Sequence, residues 1–162
     1  MPAAIIGTAY VAFRHASEQM IYDIMVGNTG PITSRDDWPR PLAALAEEPG
    51  SIKIDESTLH IYCLCQGMDP EYVWRMEATP GLFEHLSQRW ELTQVENPKW
   101  SVLDGHSSLS GIATPPWWSP KRDSKTLFFA CPQSLGGLKG DRFLVALDKK
   151  RNLIFVHYWF NF

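Results

Sequence analysis

The clearest pattern in this chain lies between Asp141 and Phe162, where two apolar arms flank a charged turn. In the first arm one strand face would carry Phe143, Val145 and Leu147. In the second arm one face would carry Ile154, Val156, Tyr158 and Phe160, and the other Phe155, His157 and Trp159. Because both faces of the second arm are apolar, we predict a strand that is central in a sheet, or that lies between helices and a second layer or another subunit.

Three other stretches have apolar residues at helical spacing. The first runs from about Ala3 to Val26 and would either dock on the sheet or pair with a copy from a second chain. The second is short, Leu42 to Glu48, and ends at a Pro-Gly pair. For the third, we expect the Thr79 hydroxyl to cap the helix and Pro80 to occupy its first position.

Strand-like runs at 59–64, 71–78 and 126–131 join the terminal hairpin, and 92–95 is a short further candidate. The first two runs predict an antiparallel hairpin. The order of elements predicts an α+β fold, in which an antiparallel sheet of about five strands packs against helices as a single pair of layers.

The length of 162 residues fits a single domain. Its parts would be an amino-terminal helix over 1–28, an irregular stretch with a short helix over 29–50, and an α+β core over 51–162 with a long loop at 97–125.

Charge and cysteine content narrow the class of function. The net charge is −3 and no long basic run occurs, so nucleic acid is not an expected partner. Three cysteines fit a reducing cytoplasm better than a disulfide framework. The apolar amino terminus is interrupted by Arg14 and His15, so we expect no membrane span; an export-linked role for this segment is the alternative.

Two motifs contain residue types found in metal or phosphate sites, but their spacing does not fit such sites. On a strand, His60 would point away from Cys63 and Cys65, and no second ligand pair stands at a zinc-site distance. The glycine cluster from Leu135 to Asp141 leads into a strand rather than a helix, which favours a turn over a phosphate loop. We therefore expect no metal and no cofactor.

The proline-rich loop TPPWWSP, residues 114–120, is the stronger candidate site. Its prolines stiffen it, so Trp117 and Trp118 could present a stacking surface to an apolar, sugar or peptide ligand. Trp74 and Arg75 would accompany them, with Arg75 contacting an anion or pairing with a nearby acid. The interpretation that we favour for this loop is a lid in which one Trp plugs the sheet and the other packs against the helix.

His157 completes the predicted ligand-binding set. Its default role is a histidine hydrogen-bonded at the edge of the core. Alternatively, His157 and Asp141 or another carboxylate would act as base and acid in a small hydrolase. The chain has no nucleophile elbow, HExxH pair or CxxC motif, so we assign no catalytic residue.

The segments DPEYVWRMEATP (69–80), PPWWSP (115–120) and KGDRFLVALD (139–148), with the terminal aromatic strand, resemble a group of small uncharacterised bacterial proteins, some carried on integron gene cassettes. The resemblance covers roughly Trp38 to Phe162. It implies a bacterial single-domain protein and brings no activity, ligand or catalytic residue.

These patterns favour a non-enzymatic cytoplasmic module that binds a small ligand or a protein and forms a homodimer. The basis is an aromatic-rich domain with a terminal strand that is apolar on both faces and no assembled catalytic motif. The alternative function is the small hydrolase.

Overall fold

The computed structural model describes residues 29–47, 53–65, 69–107, 110–132 and 142–160. Seven strands lie in these ranges: β1 (Gly30–Pro31), β2 (His60–Cys65), β3 (Glu71–Glu77), β4 (Thr93–Gln94), β5 (Thr126–Ala130), β6 (Arg142–Asp148) and β7 (Leu153–Trp159). The same ranges contain two α-helices, α1 (Arg40–Glu47) and α2 (Leu82–Arg89), and 3₁₀ turns at Arg35–Asp37 and Ser101–Asp104. The predicted helix over 1–28 and the glycine cluster lie outside the described residues.

The strands form one sheet in the order β1-β2-β3-β7-β6-β5-β4, and every neighbouring pair is antiparallel. The predicted α+β class with an antiparallel sheet is therefore confirmed. The predicted number of strands, about five, is wrong, because the described residues alone form a sheet of seven. The short candidate at 92–95 contains β4, and β1 adds a strand in a stretch expected to be irregular. Proline is tolerated there because β1 is an edge strand, where a missing N–H removes no sheet hydrogen bond.

The start of α2 also differs from the prediction. The helix begins at Leu82, and Gly81 occupies the capping position with φ of 80°. The Thr79 hydroxyl makes no hydrogen bond with any described residue, whereas the Thr79 carbonyl accepts one from the Leu82 N–H at 3.0 Å. A left-handed glycine allows a tight turn after Pro80, so the helix begins two residues later than Pro80.

The middle strand of the sheet is β7, paired along its whole length with β3 and β6. On its first face, Ile154 and Val156 belong to a buried cluster that includes Leu42 of α1 and Leu86 of α2. On its second face, Phe155 belongs to a separate buried cluster. The prediction of a central strand covered on both sides is therefore confirmed.

The second face of the sheet is covered by residues of the long loop at 97–125, which we call the lid. Val102 and Trp118 of the lid belong to the same buried cluster as Phe155. Trp100 of the lid stands edge-on to Phe128 of β5, with ring centroids 5.7 Å apart. The lid therefore forms a second layer of packing that contains little regular secondary structure.

Arg151, in the turn between β6 and β7, attaches the lid to the sheet. Its terminal nitrogens donate to the carbonyl of Ser119 at 2.6 Å and to the hydroxyl of Ser119 at 3.2 Å. Its Nε donates to Oδ2 of Asp148 at 2.6 Å. Oδ1 of Asp148 accepts the backbone N–H groups of Lys150 and Arg151. One carboxylate therefore orders both the turn and the arginine that holds the lid.

We expect Asp148→Asn to lower the free energy of unfolding by about 1–2 kcal/mol at pH 7, since it removes charge-assisted hydrogen bonds. Burial of Asp148 favours the protonated form, but hydrogen bonds from Arg151 outweigh it and lower the pKa of the carboxyl. A carboxyl group with a lowered folded-state pKa stabilises the fold above its unfolded pKa and loses that contribution as the pH falls through the folded pKa. The difference between wild type and variant should therefore shrink below about pH 4.

Urea unfolding at several pH values from 7 to 3 measures this difference. Asp104→Asn is the matched control, because Asp104 forms an exposed ion pair with Arg122 in the lid. A destabilisation by Asp148→Asn that stays constant across this pH range would contradict the prediction.

Candidate functional site

The structure brings four of the five predicted site residues to the lid side of the sheet. Arg75 and His157 lie on the second face; from the lid, Trp117 contacts Arg75, and Trp118 packs on Phe155 of the same face. Trp74 lies on the first face, buried in the helix-side cluster. Neighbouring residues of a strand point to opposite faces, so Trp74 and Arg75 do not share a site.

Trp118 is the residue that plugs the lid into the sheet. Only 7% of it is exposed, and its ring stands edge-on to Phe155 with centroids 5.6 Å apart. Its indole Nε1 donates to the carbonyl of Val102 at 2.9 Å. With its ring packed and its only donor used, Trp118 leaves no free surface for stacking a ligand.

Trp117 lies over the β2–β3 hairpin and remains partly exposed. Its ring centroid is 5.5 Å from that of His60, and the Arg75 guanidinium carbon is 5.8 Å from the Trp117 ring centroid. His60 and Arg75 face each other across the two strands. We call His60, Arg75 and Trp117 the Trp117 site.

His60 was missed as a ligand-binding candidate in the sequence. In the β2–β3 hairpin His60 pairs with Arg75, and this pairing depends on the register of the two strands rather than on residue type. In the sequence, the neighbouring Cys63 and Cys65 suggested only a metal-ligand role for His60.

The Trp117 site has a positive charge, and no acidic side chain among the described residues pairs with it. Arg75 forms no hydrogen bond or ion pair with any described residue, and its Nε is buried without a partner. Glu77 follows on the same face of β3 but forms no ion pair with Arg75. Partial burial, reinforced by the nearby Arg75 charge, lowers the pKa of His60. At neutral pH His60 is therefore mostly uncharged, and Arg75 alone supplies the charge.

His157 lies in a second group of polar residues under the lid. Its Nε2 is 2.8 Å from Oε1 of Glu71, and Oε2 of the same carboxylate accepts a hydrogen bond from the Ser107 hydroxyl. Glu71, His157 and Ser107 are 0%, 2% and 3% exposed. The backbone N–H of Ser110 donates to the Ser107 hydroxyl oxygen at 2.9 Å. The group therefore links the central strands to the lid through buried hydrogen bonds.

Glu71 was not predicted as a member of this group. Glutamate is rarely buried unless it is paired, so its position in the sequence indicated an exposed residue. The alternation of β3 and β7 places Glu71 and His157 on one face, but their pairing depends on strand order.

The geometry of this buried group does not assemble a serine nucleophile with a histidine base. The Ser107 hydroxyl donates its hydrogen bond to Glu71 rather than to His157, and Nδ1 of His157 has no hydrogen-bond partner among the described residues. Asp141, the predicted acidic partner of His157, lies outside the described residues. As arranged, Glu71 accepts from both His157 and Ser107 inside the fold, and Nδ1 of His157 stays without a partner among the described residues.

The three cysteines are buried, and Cys63 in particular is not activated as a nucleophile. Burial raises the pKa of Cys63 to about 12, so its thiol stays protonated at neutral pH. Among residues that the structure describes, no three His, Cys, Asp or Glu side chains come together as a metal-binding group.

Comparison of the chain with protein-family models, with curated proteins and with solved structures found no match. The resemblance to small bacterial proteins therefore stays a prediction. No helix in the described ranges has the length and apolar character needed to cross a membrane.

Proposed function

We propose that the protein is a non-enzymatic module that binds a small ligand at the Trp117 site. The observation that carries the proposal is the unpaired guanidinium of Arg75, partly buried beside the partly exposed ring of Trp117. The two terminal nitrogens of Arg75 are the donors that a ligand can reach, because the Nε is buried, and a guanidinium without a counter-charge favours an anion. A ligand that accepts hydrogen bonds from Arg75 and stacks on Trp117 would use both features.

The buried Glu71 group supports binding over hydrolysis as the primary proposal. A hydrolase needs its nucleophile and base within reach of a substrate. Here both candidate groups, Ser107 and His157, are enclosed and are hydrogen-bonded to Glu71. The Trp117 site, in contrast, is open to solvent at its aromatic ring and at His60.

The proposal keeps three further expectations from the sequence: a bacterial origin, a cytoplasmic location and association with a second copy. The helical pattern over residues 3–26 is the segment that would pair with its copy. A native mass spectrum showing only monomer at micromolar concentration would contradict self-association and leave the ligand proposal standing.

We expect Trp117→Ala and Arg75→Gln each to weaken ligand binding by about tenfold or more, because central aromatic and arginine residues carry most of the binding free energy at such sites. The measurement is a ligand-observed NMR screen of small molecules against wild type, followed by affinities for the variants.

Trp100→Ala and Arg122→Gln are the matched controls. Trp100 is a partly buried lid tryptophan that packs on Phe128, and Arg122 is an exposed lid arginine. Compounds that bind all four variants as they bind wild type would refute the proposed site.

A further inference from the structure

The charge of the Trp117 site restricts what it can bind. Arg75 contributes one positive charge, and no described carboxylate lies within ion-pair distance of it. His60 adds little charge at neutral pH, because partial burial and Arg75 lower its pKa. A single uncompensated positive charge matches a monoanion. A phosphate group, with a charge of about −1.5 to −2 at pH 7, would leave negative charge uncompensated.

The side chains also restrict the shape of the ligand. A guanidinium presents parallel N–H donors that match the two oxygens of a carboxylate. The indole ring of Trp117 favours a second flat ring, stacked with an offset or edge-on. His60, opposite Arg75 on the neighbouring strand, adds an imidazole N–H at the same end of the site.

The distances require the negative group and the ring to be close together in the ligand. The ring centroid of Trp117 lies 5.8 Å from the guanidinium carbon of Arg75 and 5.5 Å from the ring centroid of His60. In a ligand whose carboxylate is attached directly to an aromatic ring, or is one carbon removed from it, the carboxylate can contact Arg75 while the ring contacts Trp117. A long flexible anion would lose more conformational entropy for the same contacts.

We infer that the ligand of the Trp117 site is a small planar aromatic monocarboxylate, held by Arg75 through its carboxylate and by Trp117 through its ring. The inference rests on the proposed function and adds to it the chemical class of the ligand and a binding role for His60.

The test is a titration of ¹⁵N-labelled full-length protein, followed at the indole N–H of Trp117, which Trp117→Phe identifies in the spectrum. Four probes separate the contributions: benzoate, the non-planar cyclohexanecarboxylate, the uncharged benzyl alcohol and inorganic phosphate. We expect saturable shifts with benzoate and affinities about tenfold weaker for the other three.

Variants connect the result to the residues. Arg75→Gln should reduce benzoate affinity about tenfold, and Arg75→Lys should reduce it by less, because lysine keeps the charge but lacks the two-pronged donor set. Arg122→Gln should leave the affinity unchanged. Dispersed backbone NMR spectra show that each variant is folded.

Either of two results would overturn the inference: benzyl alcohol, cyclohexanecarboxylate or phosphate binding as tightly as benzoate, or no shift of Trp117 with any carboxylate. The proposed function survives these results if another compound from the screen binds in a way that depends on Trp117 and Arg75. It fails together with the inference only if no compound does.

Discussion

Replacing Glu71 with alanine is expected to lower the free energy of unfolding by about 3–5 kcal/mol, the largest effect of any polar substitution in the described core. The carboxylate is fully buried and accepts hydrogen bonds from His157 and Ser107. Its removal takes the shared carboxylate acceptor away from two buried side chains. Chemical denaturation followed by far-UV circular dichroism measures the change.

Glu77→Ala is the matched control, because Glu77 lies on the same face of the same strand but is exposed. It should change stability little. Glu71→Gln, which keeps one carbonyl acceptor, should cost less than Glu71→Ala. If Glu71→Ala and His157→Ala proved additive in a double-mutant cycle, the two side chains would not be coupled and the predicted network would be refuted.

Trp118→Ala is expected to lower the free energy of unfolding by about 3–5 kcal/mol, because it empties a site inside a packed cluster. The ring packs edge-on to Phe155, and its Nε1 donates to the Val102 carbonyl. Trp117→Ala should cost much less, since Trp117 is partly exposed and makes no described hydrogen bond. Urea unfolding of both variants measures the contrast.

The two neighbouring tryptophans have different predicted roles, packing for Trp118 and ligand binding for Trp117, which the sequence did not assign to one or the other. We expect Trp118→Ala to impair folding and Trp117→Ala to impair ligand binding. Equal destabilisation by both substitutions would show that Trp117, like Trp118, packs as part of the fold, and this result would weaken the proposed site.

The two predictions also bear on how the lid is held. Three side chains of the lid contact the sheet or the β6–β7 turn at separate points: Ser107 at Glu71, Trp118 at Phe155 and Ser119 at Arg151. Several independent anchors explain how a loop with little regular secondary structure covers one face of a sheet. Losing one anchor should therefore loosen the lid locally before the sheet unfolds.

Local patterns in the sequence were enough to predict the main elements of the sheet. The terminal arm with apolar residues on both faces predicted a covered central strand, and β7 is the middle strand of seven. Alternation along 59–64 and 71–78 predicted the β2–β3 hairpin. The edge strands were harder to predict, because β1 and β4 contain two residues each and carry too few side chains for a period to show.

The candidate site was only partly predictable. Arg75 and Trp117 were identified from residue type, and strict alternation along β3 would already have separated Trp74 from Arg75. Nothing local distinguished Trp117 from Trp118, because adjacent loop residues have no fixed period and their burial depends on what the loop packs against.

By itself, the sequence determined the α+β class, the hairpins and the apolar faces of the strands, since these follow from periodicity over a few residues. Only the tertiary structure decided which faces meet. Glu71 and His157 are 86 positions apart, and they pair because β7 inserts beside β3 rather than at an edge. Strand order depends on the packing of the whole chain, so the buried network and the open Trp117 site appear only when the sheet and its lid are assembled.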